Sequence, residues 1–317
     1  MKPILKLSLL LLLGASLLTS CFKEDPPVII DIPDQLFLDA LIELGLDTDG
    51  DGKISTAEAE VVTYLNLGER DLTDLTGIEE FVNLKRLICY DNEINSLDLT
   101  ENTALEALIC DRNNLTSLYL NFQIGLLELS CSYNDLDTLD LAGNPSLEVL
   151  NCSNNEITSL VLSNNYSLES LYCENNLLGS LDITENTQLV ELGCGGNELT
   201  SLDLSSCPVL EELNCIMNQL TILDLSNNPL LEKLNCYGNQ LSALDLSSNS
   251  LLEELRCHAN FLFDLDISTN TELEYINIRS MPSLITVCVW VLPFPPEGVE
   301  VDMHGSPNIL FTTECGK

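Results

Sequence analysis

Between residues 84 and 270 the apolar positions recur at one spacing, copy after copy. Cysteines stand at Cys89, Cys110, Cys131, Cys152, Cys173, Cys194, Cys215, Cys236 and Cys257, each 21 residues after the one before. A Leu precedes each by two positions, as at Leu87, Leu129, Leu213 and Leu255, and an Asn follows each by three, from Asn92 to Asn260. A second short apolar unit lies further along every copy, for example Leu97-Asp98-Leu99 and Leu223-Asp224-Leu225. No insertion breaks the register over nine copies. A fixed period of about 20 to 29 residues marks stacked repeats. Alternate residues on a strand share a face. Leu87 and Cys89 therefore point one way, while Arg86, Ile88 and Tyr90 point the other. A single copy cannot bury its Leu face, but stacked copies share one continuous core.

The residues spell L-x-x-L-x-C-x-x-N-x-L-x-x-L-D-L-x-x-N over more than half the chain. This resembles the leucine-rich repeat, in a short bacterial form with Cys where Leu or Ile is more usual. The resemblance implies a repeat solenoid, with a parallel β-sheet on one side and short second strands or turns on the other. It also implies an internal ladder in which each Asn bonds neighbouring backbone groups. Val62 to Ile78 reads as a degenerate first copy, with Leu65 and Leu67 in the usual Leu and Cys places. The repeats are assigned to 66–280. Ten rungs at the spacing of parallel strands give a stack of about 45 Å.

The N-terminal region follows other rules. Leu36, Phe37, Ala40, Leu41 and Leu44 have helical spacing, and Ala57, Val61, Val62 and Leu65 repeat it over Ser55 to Leu65. A helical cap over 35–65 is predicted. Between its two halves, Asp47 to Glu58 resembles an EF-hand calcium loop. The resemblance implies side-chain oxygens from Asp47, Asp49 and Asp51, the carbonyl of Lys53, Ser55 directly or through water, and a bidentate Glu58. Gly52 would permit the sharp turn and Ile54 would plug the core. A structural Ca2+ covering the open end of the solenoid is the expectation, because a terminal core face otherwise meets water.

Further upstream, Met1, Lys2 and Lys6 precede an apolar run, Leu7 to Leu18, too short to span a membrane. Leu18-Thr19-Ser20-Cys21 resembles a lipobox. Residues 1–20 would then be a lipoprotein signal peptide, Cys21 the lipidated N-terminus, and 21–34 a Pro-rich tether. Lys23-Glu24-Asp25 resembles the surface-export signal of some Gram-negative lipoproteins. An outer-membrane lipoprotein exposed on the cell surface is expected.

The nine ladder cysteines form one inward column and are odd in number, which points to reduced packing residues; buried Cys behaves as a small hydrophobe. Cys207 falls in a turn column with Asn186 and Asn228. Cys288 and Cys315 lie past the repeats, and a disulfide between them is expected to close a β-rich C-terminal cap over 281–317.

Charge narrows the partners. The full chain carries 12 basic and 50 acidic residues, a net −38. Removal of residues 1–20 takes two Lys and no acid, leaving −40. Such a surface repels nucleic acid and anionic bilayers, so membrane contact would come through the lipid alone. His258 and His304 are the only histidines, and His258 reads as a surface residue with no nucleophile at a suitable spacing. The outward column of Glu128, Glu191, Glu212 and Glu254 is too regular and open for a hydrolase, which needs acid–base groups converging in a cleft. No enzyme is expected.

The outward columns vary while the inward ones do not. The candidate partner face comprises Arg86, Ile88, Tyr90, Asp111, Glu128, Asn151, Tyr172, Glu174, Asn214, Asn235, Tyr237, Arg256 and His258. Its ligand would be a protein or a glycan, bound by a monomer; tyrosines are favoured at interfaces. The chain resembles bacterial surface leucine-rich repeat proteins, some of them internalin-like adhesins. The competing reading is a structural spacer of the cell envelope with no dedicated ligand.

Overall fold

The computed structural model describes residues 27–315. The signal segment 1–20 and Cys21 lie outside the described residues. Helix α1 (Gln35–Glu43) starts at Asp34, whose carboxylate accepts from Leu36 N and Phe37 N and caps the orphan amides. The other oxygen of Asp34 accepts from Thr73 N, Thr73 Oγ1 and Asp74 N, tying the cap to the first turn of the coil. Phe37, Ala40 and Leu41 join the same apolar cluster as Leu65 and Leu67.

The predicted second helix is corrected. α2 (Thr56–Ala59) is one turn long, with a reciprocal Ser55–Glu58 capping box. The chain then leaves the helix because Tyr64 to Asn66 is drawn into the first strand of the sheet. Val61, expected on the apolar face, is 77% exposed.

Three-residue strands follow, numbered along the chain. The main sheet contains β1 (Tyr64–Asn66), β2 (Arg86–Ile88), β3 (Ala107–Ile109), β4 (Glu128–Ser130), β5 (Val149–Asn151), β6 (Ser170–Tyr172), β7 (Glu191–Gly193), β8 (Glu212–Asn214), β9 (Lys233–Asn235) and β10 (Glu254–Arg256). It ends with β12 (Tyr275–Asn277) and β14 (Glu300–Asp302). All 12 strands are parallel neighbours, in the register that aligns Leu65 with Leu87, Leu87 with Leu108, and so on. A second sheet on the L-D-L side holds β11 (Asp264–Asp266), β13 (Thr286–Cys288) and β15 (Leu310–Thr312). Upstream of it the same side makes single bridges, such as Leu139 to Leu160.

The main sheet outruns the Cys pattern because Ile276 and Ile278 take the Leu and Cys places and are fully buried. Both sheets continue through the predicted cap region. The disulfide between Cys288 and Cys315 joins β13 to the segment after β15. The ladder cysteines and Cys207 are free and buried. Burial pushes their thiols up, to about 12 at Cys89 and Cys152.

Two columns of amides hold the turns together. In the first, Asn113 Nδ2 donates to Cys110 O at 3.1 Å and to Cys89 O, one turn back, at 2.9 Å, while its Oδ1 accepts from Ile94 N at 3.0 Å. The pattern repeats from Asn92 to Asn260. The second column, at the opposite turn, is Asn102, Gln123, Asn144, Asn165, Asn186, Asn228, Asn249 and Asn270, each fully buried. Asn165 donates to Leu141 O and Asn144 O, and its neighbours do the same one rung on. Cys207 occupies one rung of this column. Buried carbonyls that face no strand partner are satisfied this way. Among the described residues no helix is long and apolar enough to cross a membrane.

Candidate functional site

The central residue of each main-sheet strand except the terminal β14 is buried and its flanking residues face outward, as strand alternation requires. The candidate residues therefore share one face, but they are not a uniform solvated row. Arg86 pairs with Glu128 at 2.8 Å across two rungs. Ala107 lies in register between them, and this pair covers it, so an outward position is buried. Asp111 accepts from Ser130 Oγ at 2.6 Å and from Ser132 N at 2.8 Å. The Tyr90 ring lies over Gly68, where an added Cβ would meet it at 2.7 Å. Asn151 accepts from Ser153 N at 3.1 Å. Ile88 is half-buried.

The central strands hold a depression of about 250 Å³ lined by Tyr172, Glu174, Glu191, Asn214, Lys233 and Asn235, with Gly193 at its floor. The Tyr172 hydroxyl donates to Glu191. Burial, reinforced by that carboxylate, pushes the Tyr172 hydroxyl up to about 12. Glu174 accepts from Ser153 Oγ at 2.8 Å and overlies Gly193, where an added Cβ would displace its carboxylate. The Lys233 ammonium is held by Glu212. The side-chain oxygens of Asn214 and Asn235 are buried and accept from no donor in the described structure.

A second cluster lies two rungs on. Tyr237 stacks on His258 with ring centroids 4.4 Å apart. Arg256 pairs with Glu254 and sits 5.0 Å over the Tyr275 ring. The surface assignment of His258 is corrected: it is 6% exposed, enclosed by the Tyr237 ring and by Arg279, 3.5 Å from its Nε2. Burial, with Arg279 beside it, lowers its basicity. Tyr275 and Arg279 escaped sequence reading because their copy carries Ile278 in place of Cys. Continuing the 21-residue period through any apolar residue, here Ile278 after Cys257, would have found them.

On the other side of the coil the Asp column caps turns. Asp98 accepts from Thr100 N and Thr100 Oγ1, and Asp182, Asp203, Asp224 and Asp245 repeat the motif with the following Thr or Ser. These bonds hold the Asp98 and Asp182 carboxyls below the usual range.

In the N-terminal loop Asp47 accepts from Gly50 N, Asp51 N and Gly52 N. Glu58 reaches back to Thr48 and Ser55 through both oxygens, at 2.7 to 2.9 Å. The Ser55 backbone bond, with Thr48 and the Ser55 hydroxyl, holds the Glu58 carboxyl down at about 2. Carboxylate oxygens of Asp47, Asp49 and Glu58 lie within 4.8 Å of one another. Gly50 and Gly52 have φ of 76° and 78°, the left-handed conformation that favours Gly. These are hard oxygen donors converging on one point, a set suited to Ca2+. Asp51 and Ser55 lie on the same loop, and Lys53 N donates to Asp51 at 2.9 Å. The loop's exit is pinned to the chain's own N-terminal segment: Ile30 N donates to Ile54 O and Thr56 N to Val28 O, both at 2.9 Å.

No protein-family model and no curated protein matches the chain. Solved structures do. The functional domain of InlJ from Listeria monocytogenes, which includes a cysteine ladder, is 36% identical with a TM-score of 0.77, over 81% of this chain and 56% of that one. This chain thus spans little more than half of that domain. The internalin InlF from Listeria monocytogenes is 17% identical with a TM-score of 0.67, over 92% of this chain and 99% of that one. The leucine-rich repeat protein LIC12759 from Leptospira interrogans is 24% identical with a TM-score of 0.67, over 81% and 75%. The last two establish the fold alone. With its 21-residue period, its column of buried thiols and these neighbours, the chain has the internalin-like leucine-rich repeat fold with a cysteine ladder.

Proposed function

We propose that this is a non-enzymatic binding protein of the cell surface, which uses the outward face of the main sheet to hold a protein or glycan partner. One observation carries the reading: the inward columns repeat Leu, Cys and Asn without change, while the outward columns vary and gather Tyr172, Tyr237 and Arg256 into local clusters. Packing dictates the first set and leaves the second to recognition. Likeness to a domain of InlJ supports an interaction role. Lipidation of Cys21 and outer-membrane attachment belong to the same proposal and rest on the lipobox. The test is an array of glycans and proteins probed with the mature chain. Tyr172→Ser/Tyr237→Ser is expected to lower its signals about tenfold or more, since buried aromatic anchors carry much of an interface's energy. An unaltered array would remove the face assignment.

The second part of the proposal is a structural Ca2+ held by Asp47, Asp49, Asp51, the Lys53 carbonyl, Ser55 and Glu58. Bound there, the ion supplies positive charge among carboxylates that otherwise repel one another. The loop in turn orders Val28 to Ile30 against Ile54 and braces α1 over the end of the coil. At about ten times its Kd, Ca2+ is expected to add about 1.4 kcal/mol of stability. Thermal melts with calcium and with chelator measure it. Asp47→Ala is expected to abolish the calcium-dependent increment, and an increment that survives this substitution would rule out the site.

A further inference from the structure

From residue 113 to residue 232 the chain contains no Lys, Arg or His and 17 acidic residues. This segment covers β4 to β8. Elsewhere on the outward face each base is spent on a neighbour: Arg86 on Glu128, Lys233 on Glu212, Arg256 on Glu254. No base of the described residues lies within ion-pair distance of Glu174 or Glu191. Both line the depression floored by Gly193.

That depression is rich in acceptors. They are the two carboxylates and the buried side-chain oxygens of Asn214 and Asn235. Of its donors, Lys233 is held by Glu212, the Tyr172 hydroxyl by Glu191 and Asn214 Nδ2 by Glu174 at 3.5 Å, which leaves Asn235 Nδ2. A neutral sugar presents donors and acceptors in similar number and would leave most of its acceptors unmatched. A guanidinium presents five donors and no acceptor, and its plane stacks on an aromatic ring such as Tyr172. We infer that the central strand face docks a basic segment of a protein partner, one Arg of which enters the depression between Glu174 and Glu191. The unipolar field of the surrounding turns steers such a segment to the face. This inference rests on the strand-face reading above and selects protein over glycan.

The experiment titrates a labelled nona-arginine peptide with the full chain and reads fluorescence anisotropy at about 0.15 M salt, where charges beyond about 8 Å are screened. Glu174→Gln/Glu191→Gln is expected to weaken binding about tenfold or more, since charge-assisted bonds to a guanidinium are the strong ones. Asp203→Asn/Asp224→Asn removes the same charge from the opposite side of the coil and is expected to change affinity less than about twofold. Gly193→Ser pushes the Glu174 carboxylate off the floor without altering charge and is expected to weaken binding about fivefold or more. Gly193→Ala takes its place if the Ser variant does not fold. Equal losses from the two acidic pairs, no effect of the Gly193 substitution, or no binding of the peptide would each overturn the inference. If the peptide fails while Tyr172→Ser/Tyr237→Ser still removes an array signal, the basic segment falls and the strand face stands. A neutral glycan signal lost in Gly193→Ser would assign the depression to a sugar and overturn the inference as well.

Discussion

Asn176→Asp is expected to cost about 4 kcal/mol of stability at neutral pH, although one atom of the side chain changes. Asn176 is 5% exposed in the middle of the stack. Its Nδ2 donates to Cys152 O at 3.0 Å and Cys173 O at 3.2 Å, and its Oδ1 accepts from Ile157 N at 3.0 Å. The carboxylate keeps the acceptor and loses both donors. Two carbonyls are then left without partners, at about 1–3 kcal/mol each, and a desolvated charge faces them. The sign of the pH dependence follows. Burial and the facing carbonyls raise the folded-state pKa of the new Asp above its unfolded value. The penalty is small below the unfolded pKa, grows as pH rises, and is complete above the folded pKa. Urea midpoints of the variant and the parent should therefore converge in acid and separate toward neutrality. A gap of less than about 1 kcal/mol at every pH would mean that the amide column does not hold the turns.

This column was legible because its period is that of the chain itself: an Asn every 21 residues, three after Cys, has one place in a coil. The period-2 alternation likewise put the outward columns on one side of the main sheet. What the sequence did not disclose depends on distances between rungs. The partner of Arg86 is 42 residues away, and Tyr172 reaches Glu191 across a diagonal of 19. Such pairs follow from side-chain length and tilt, which a column of letters does not contain. For the same reason His258 reads as a surface residue and the burial of Ala107 is not apparent: what covers them comes from the rungs on either side. The second amide column was in view at Asn186 and Asn228, but its role needed the carbonyls of the preceding turn. The one-turn α2 had helical spacing in Val61, Val62 and Leu65, and lost because Leu65 packs better as the first rung of the sheet.

The same one-dimensional construction sets the outcome at the other end. Replacing Cys288 and Cys315 with Ser is expected to cost about 3 kcal/mol, the loop-closure contribution of a cross-link spanning 27 residues. The cost should be paid locally, because each turn of a repeat stack contacts only its neighbours. β15 pairs with β13 alone, and Leu310 on it is 62% exposed. Without the disulfide, β15 is held by that ladder and by Phe311 against Phe294, 5.0 Å between ring centroids. Amide exchange should therefore accelerate over 286–315 and stay unchanged over β2 to β9. The thiol column gives a control, since it contains no disulfide: a reductant should reproduce the double substitution and alter nothing upstream. Accelerated exchange throughout the sheet would mean that the turns unfold as one unit. The C-terminal cross-link would then be stabilising the whole coil, and the claim that its ends fray independently would be wrong.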